Sequence, residues 1–283
     1  MDNDARVRTL ARMRAPLLIT VGALAACNTN QVLGEPRILV SPYYAINELR
    51  GDISLQSDPG TGPEDNATQS LRTFGQNHAD DDWGIRADIG DGFAGIRFDW
   101  LAMDGNTSRH GNLDDDWGAL LDGDRVRMAT RLDEYRLGYV HPLWNAATDY
   151  RGQPLRLDLA AGAYVAHRNL QLRTRTEDGL RQQNVELTDH GAVYPTVRLR
   201  ATWRELRCDI DYGISPELQF GGDFDGVLQD LELRLGWTFA RQDVTVFGGW
   251  RRSELPADGH EGALGFDADL VLQGFQLGMS VVF

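Results

Sequence analysis

The sequence predicts an all-β fold: an antiparallel, up-and-down transmembrane β-barrel of about ten strands, within a range of eight to twelve. Three observations predict it. Apolar and polar residues alternate with period two along most of the chain after residue 27. Long and short connections alternate between the alternating segments. Aromatic residues gather at segment ends, on the apolar faces. The chain has 283 residues, 42% hydrophobic and 25% charged, with a mean hydropathy of -0.38. That excludes a bundle of membrane helices, each of which needs ~20 nearly uncharged residues. A net charge of -14 and a pI near 4.8 argue against a nucleic-acid partner, because phosphate contacts need basic surface. All 28 cations are Arg, planar fork donors suited to carboxylate pairing. Two cysteines, Cys27 and Cys208, are too few for a disulfide scaffold.

Residues 1–26 read as a signal peptide. Arg6, Arg8, Arg12 and Arg14 precede an apolar run from Ala15 to Ala26, too short to span a bilayer. Leu24-Ala25-Ala26-Cys27 resembles the bacterial lipobox, which implies lipidation of Cys27; ordinary cleavage near Ala23-Leu24-Ala25 is the alternative. Residues 27–35 then form a short periplasmic segment, and 36–283 the barrel domain.

Ten strands follow, at about 37–49, 83–90, 93–103, 131–141, 155–168, 192–203, 206–215, 228–240, 243–252 and 268–283. Along 228–240, Leu231, Leu233, Leu235, Trp237 and Phe239 oppose Asp230, Glu232, Arg234 and Thr238. Only a strand separates these sets cleanly. Short turns are expected at Gly90-Asp91-Gly92, Arg204-Glu205 and Arg241-Gln242. Loops of about 33, 27, 23, 12 and 15 residues are expected at the other end, and a link at 142–154 breaks the pattern. Trp100, Tyr212 and Trp250 would form one aromatic belt, and Tyr139, Trp203 and Phe239 the other.

The last segment carries a family resemblance. Phe275, Leu277, Met279, Val281 and Phe283 alternate with Gln276, Gly278, Ser280 and Val282, and the chain ends on Phe. This resembles the terminal strand of Gram-negative outer-membrane β-barrel proteins. The resemblance implies an outer-membrane location in the cell envelope, contact with membrane lipid and lipopolysaccharide, and a barrel-assembly signal in Phe283, Val281 and Met279. Upstream, Leu264, Phe266, Ala268, Leu270 and Leu272 occupy even positions, so a β-bulge at Gly274 is expected where the phase changes.

A ten-stranded barrel is narrow. Its inward polar set is expected to hold Arg97, Asp99, Arg136, Arg156, Asp158, Arg198, Arg200, Arg207, Asp209, Glu232 and Arg234, with Arg86, Asp88, Asp211, Asp243 and Arg251 beside them. Arg and carboxylate are nearly balanced, which points to a salt-bridged filling and a structural or binding role. A narrow channel for ions or small solutes is the alternative. The acidic runs Asp80-Asp81-Asp82 and Asp114-Asp115-Asp116, with Asp122, Asp124, Asp223 and Asp225, fall in loops. They offer oxygen ligands to a divalent cation or form a solvated rim. His78, His110, His167, His190 and His260 lie toward the same end, so a rim hydrolase is a further alternative, as in the omptin proteases. Their catalytic motifs do not align residue by residue here. Asp189-His190 makes a poor dyad, since neighbours on a strand face opposite ways. No cofactor motif is present, no catalytic residue is assigned, and an enzyme is not the leading expectation. A soluble barrel with its faces reversed is the remaining class.

Overall fold

Ten long strands account for the alternating segments. They are β1 Ile38–Leu55, β2 Asp80–Gly90, β3 Gly95–Asn106, β4 Arg125–Tyr150, β5 Gln153–Thr176, β6 Gln182–Trp203, β7 Leu206–Pro216, β8 Val227–Phe239, β9 Val244–Glu261 and β10 Leu264–Val282. The computed structural model describes residues 37–56, 68–76, 78–106, 109–216, 223–224, 227–239 and 243–283. The signal segment, Cys27 and the 27–35 stretch lie outside the described residues, as does Asp225.

Each strand pairs antiparallel with its sequence neighbours, and β10 pairs back onto β1. The seam runs from Leu39↔Val282 to Leu55↔Phe266, which closes an up-and-down barrel. At the seam the Ser41 and Ser280 hydroxyls share a hydrogen bond of 2.7 Å. No charged side chain on β1 or β10 is buried in the interior. Two-residue pairings, Gln69–Ser70 on β1 and Gly111–Asn112 on β4, tie two connecting segments to the wall.

Several connections are shorter than expected. β4 continues through the 142–154 link to Tyr150 and turns at Arg151-Gly152. Both turn residues have positive φ, 56° and 70°, which suits a two-residue hairpin. An extra residue between Pro142 and Trp144 shifts the register. The expected loops of about 23 and 15 residues are hairpins too, because β5 runs to Thr176, β6 starts at Gln182, and β9 and β10 turn after Glu261. Gly274 is no bulge: Asn47↔Gly274 and Arg251↔Gly274 sit in unbroken registers. A register shift falls instead at Ala166/Arg168 opposite β6.

The phase change has another cause. Along β5, Leu157 and Val165 face outward while Asp158 and Tyr164 are buried inside. Beyond Arg168, Leu170 and Leu172 are buried and Arg173 and Arg175 are exposed. On β10, Phe266, Ala268, Leu270 and Leu272 are buried, whereas Phe275, Leu277 and Met279 are exposed. The strand keeps its alternation, but its two faces exchange chemistry. The barrel therefore has two storeys. One has an apolar exterior and a charged interior. The other has a polar exterior and an apolar interior, into which the connections deliver Leu71, Phe74, Leu113, Trp117 and Leu120, all buried. Phe74 and Trp117 meet edge to face at 4.9 Å.

Candidate functional site

The charged storey begins with a steric fit between strands. A Cβ on Gly84 would lie 2.2 Å from the Tyr43 ring, and one on Gly138 2.2 Å from the Tyr164 ring. Only glycine lets these rings lie flat across the wall. Tyr43 Oη then donates to Asp99 at 3.0 Å, and Tyr164 Oη to Asp211 at 2.6 Å.

Around them four carboxylates are shared between cations. Asp99 takes Arg86 at 2.8 Å and Arg136 at 2.7 Å. Glu232 takes Arg86 at 3.0 Å, Arg234 at 3.2 Å and the Gln276 amide at 2.6 Å. Asp211 takes Arg198 at 2.8 Å and Arg97 at 3.4 Å. Asp209 takes Arg200 at 2.6 Å, Arg207 at 3.1 Å and Arg234 at 3.8 Å. Arg97 also binds Asp88 at 2.5 Å. Many pairs cross the lumen: Arg86 on β2 reaches Glu232 on β8, and Arg136 on β4 reaches Asp230 on β8. Desolvating so many ions is tolerable only because each has partners.

Of the residues expected in this network, Arg97, Asp99, Arg136, Asp158, Arg198, Arg200, Asp209, Glu232 and Arg234 are buried, and the Arg207 side chain is 14% exposed. Arg156 differs. It pairs with Asp158 at 2.8 Å but its side chain is 59% exposed, so it stands at the mouth rather than within the filling. Asp243 is an exposed turn residue with φ 50°, since β9 begins one residue later. Three network members went unassigned. Glu134 gathers Arg168 at 2.9 Å and Arg251 at 2.7 Å, and Asp230 takes Arg251 at 3.1 Å. Glu134 shares the phase of Arg136 two residues on, and that phase would have placed it.

Both ends of the charged storey are closed. On one side the β2–β3 turn folds inward: Arg200 and Arg97 donate to the Gly92 carbonyl at 2.7 and 3.4 Å, and Arg198 to the Phe93 carbonyl at 2.6 Å. Asp91 fixes that turn by accepting from Phe93 and Ala94 N–H at 2.8 and 2.7 Å. On the other side lies the apolar storey. Three voids in the network measure about 10 Å³ each, room for about one water apiece.

At the loop end, His78 Nε2 lies 3.3 Å from Asp80, and His110 3.9 Å from Glu177. His167 stacks on His190 at 6.4 Å, and its Nδ1 lies 2.6 Å from the Asp189 carbonyl. The Asp189 carboxylate turns inward to accept from Gly191 and Ala192 N–H, away from His190. Burial pushes the Asp82 carboxyl up to about 7, opposed by the Asn47 amide and reinforced by Asp80. The Asp114–Asp124 stretch spends carboxylates on its own turns: Asp116 accepts from Asp122 N–H and Asp124 from Leu121 N–H. Asp223 accepts from Thr188 N–H at 2.8 Å. Among the described residues, no three His, Cys, Asp or Glu side chains converge as metal ligands. Phe283, Met279 and Val281 lie at the opposite end, with Phe283 77% and Met279 44% exposed. Phe283 N–H donates to the Ile38 carbonyl at 2.8 Å.

No family model matches the chain, and no curated protein matches it. Among solved structures it is similar to a Pseudomonas aeruginosa FadL homologue, at 9% identity over 88% of this chain and 90% of that one, with a TM-score of 0.31. It is also similar to the P. putida toluene transporter TodX, at 7% identity over 88% and 90%, TM-score 0.28. A third is an anion-selective porin from Comamonas acidovorans, at 8% identity over 86% and 100%, TM-score 0.25.

Proposed function

We propose that the chain is an integral outer-membrane β-barrel protein of a Gram-negative cell envelope, with a closed lumen and a structural or binding role served by its outer storey. The observation that carries this is the exchange of face chemistry along single strands. Water on both storeys would favour one arrangement throughout. An apolar exterior confined to one band, over a charged interior, is what a bilayer selects. The small voids and the tucked turn favour filling over conduction. In this reading Phe283, Val281 and Met279 face the barrel-assembly machinery at the inner rim, and Cys27 carries a lipid.

Two measurements test it together. Cells are fractionated and the full-length chain is scored for heat-modifiable gel mobility. The purified barrel is then inserted in planar bilayers and recorded under voltage. The expected result is outer-membrane recovery with no stable conductance steps. Recovery in the soluble periplasm overturns the membrane assignment, and regular conductance steps overturn the closed lumen.

A further inference from the structure

The polar exterior of the outer storey carries one cationic hollow. Arg127 on β4 and Arg175 on β5 are direct cross-strand partners, and Arg173 lies two residues from Arg175 on the same face. Like charges directly opposite destabilise a sheet. The neighbouring arginines are neutralised: Arg125 by Glu177 at 3.1 Å, Arg131 by Asp133 at 3.2 Å and Arg181 by Asp124 at 2.5 Å. Among the described residues Arg127, Arg173 and Arg175 have no carboxylate within ion-pair reach. Arg127 Nε is buried without a hydrogen-bond partner there. The three surround a depression of about 400 Å³, edged by the amides of Gln182 and Asn184 and by Asp104. Asp104 stands opposite Arg131, on the side away from β5.

We propose that this hollow binds the anionic, phosphate-bearing sugar portion of the outer-leaflet glycolipid, a proposal that rests on the membrane reading above. Height selects that occupant. Arg127 lies eight residues above Tyr135, the last outward aromatic of β4. At ~3.3 Å per residue and a tilt near 40°, this is roughly 20 Å above the apolar band. Acyl chains end below that level, and charged sugars reach it. The guanidinium forks match phosphate oxygens bidentately, and the two amides can donate to and accept from sugar hydroxyls. The cross-strand repulsion is relieved when the anion binds.

The test uses the full-length chain in detergent, titrated with lipopolysaccharide of complete phosphorylated core, with a core-truncated form, and with inorganic phosphate. The variant combines Arg127→Gln, Arg173→Gln and Arg175→Gln, and Arg37→Gln at the opposite end is the control. Heat-modifiable mobility confirms that each is folded. Complete-core affinity is expected to fall at least tenfold in the triple variant and to stay unchanged in the control. Wild type should bind the truncated form as weakly as the triple variant binds the complete one. Equal complete-core binding by wild type and triple variant overturns the proposal. Inorganic phosphate bound as tightly as the glycolipid also overturns it, in favour of a soluble anion. Sedimentation of wild type with phospholipid vesicles is scored separately. A chain that stays soluble sinks the membrane reading and this proposal together, whereas a vesicle-bound chain with equal binding sinks this proposal alone.

Discussion

An arginine walked down the outer face of β8 should cost more at each step. Leu231, Leu233, Leu235, Trp237 and Phe239 share that face, and Leu233 and Leu235 are 39% and 55% exposed. Two residues advance ~6.8 Å along a strand, which a tilt near 40° converts to ~5 Å of depth. Leu235 is then about 10 Å from either end of the run, and Leu233 about 5 Å. Leu231 is at the rim, paired across the sheet with Arg252, which binds Glu254 at 2.9 Å. Arg or Lys on a lipid face costs about 2–4 kcal/mol at the midplane and about 0–1 near the interface. Leu235→Arg should lose the first amount, Leu231→Arg the second, and Leu233→Arg an amount between them. Equilibrium urea unfolding in phospholipid vesicles, followed by Trp fluorescence and by heat-modifiable mobility, measures all three. Losses within about 0.5 kcal/mol of zero for every position are what a solvated surface gives. That outcome would refute the membrane assignment.

Three further outcomes concern ionisable groups that face the interior. Glu134 is the carboxylate partner of Arg168, at 2.9 Å, so Glu134→Gln strands a buried cation and should cost about 3–5 kcal/mol in the same assay. Arg234→Met should cost far less, because Glu232 keeps Arg86 at 3.0 Å and Asp209 keeps Arg200 at 2.6 Å; equal losses would show that the network does not partition as its distances indicate. Asp82, beyond the outward Trp83, holds its proton to about pH 7 when folded, against an ordinary value of 3.8. The folded state thus binds more protons over that window, and stability should fall as pH rises from about 4 to 7. Asp82→Asn should flatten that decline in urea midpoints, and an unchanged slope would place its cause elsewhere.

Period-two patterning made the strands legible, because Leu233 and Arg234 cannot share a face in any strand register. The same signal misread the outer half. Leu170, Leu172, Val185 and Leu187 continue the alternation, but with apolar residues inside, so a search for one apolar phase stops at the storey boundary and leaves loops behind. The Gly274 bulge was inferred from that same assumption. Lumen charges were readable strand by strand, whereas their pairings were not: Arg86 and Glu232 are 146 residues apart. The inward tuck of the β2–β3 turn had no periodic trace, since four residues carry no period. The arginine hollow escaped notice because its members belong to segments read as loop.

The closing seam is uncharged on its interior face alone. Arg, Asp and Glu line β2 through β9, while β1 and β10 offer the interior only hydroxyl, amide and apolar groups along the contact. Joining the first strand to the last therefore makes and breaks no ion pair between them. The interior ion pairs, among them Arg86 with Glu232 and Arg136 with Asp230, join β2 through β9 to one another and leave the seam unbridged. On the interior side, the seam is held by backbone hydrogen bonding and the meeting of Ser41 with Ser280. Outside, Asp52 faces Asp269 directly across that seam, so two like charges meet as it closes, and added salt should ease closure by screening them.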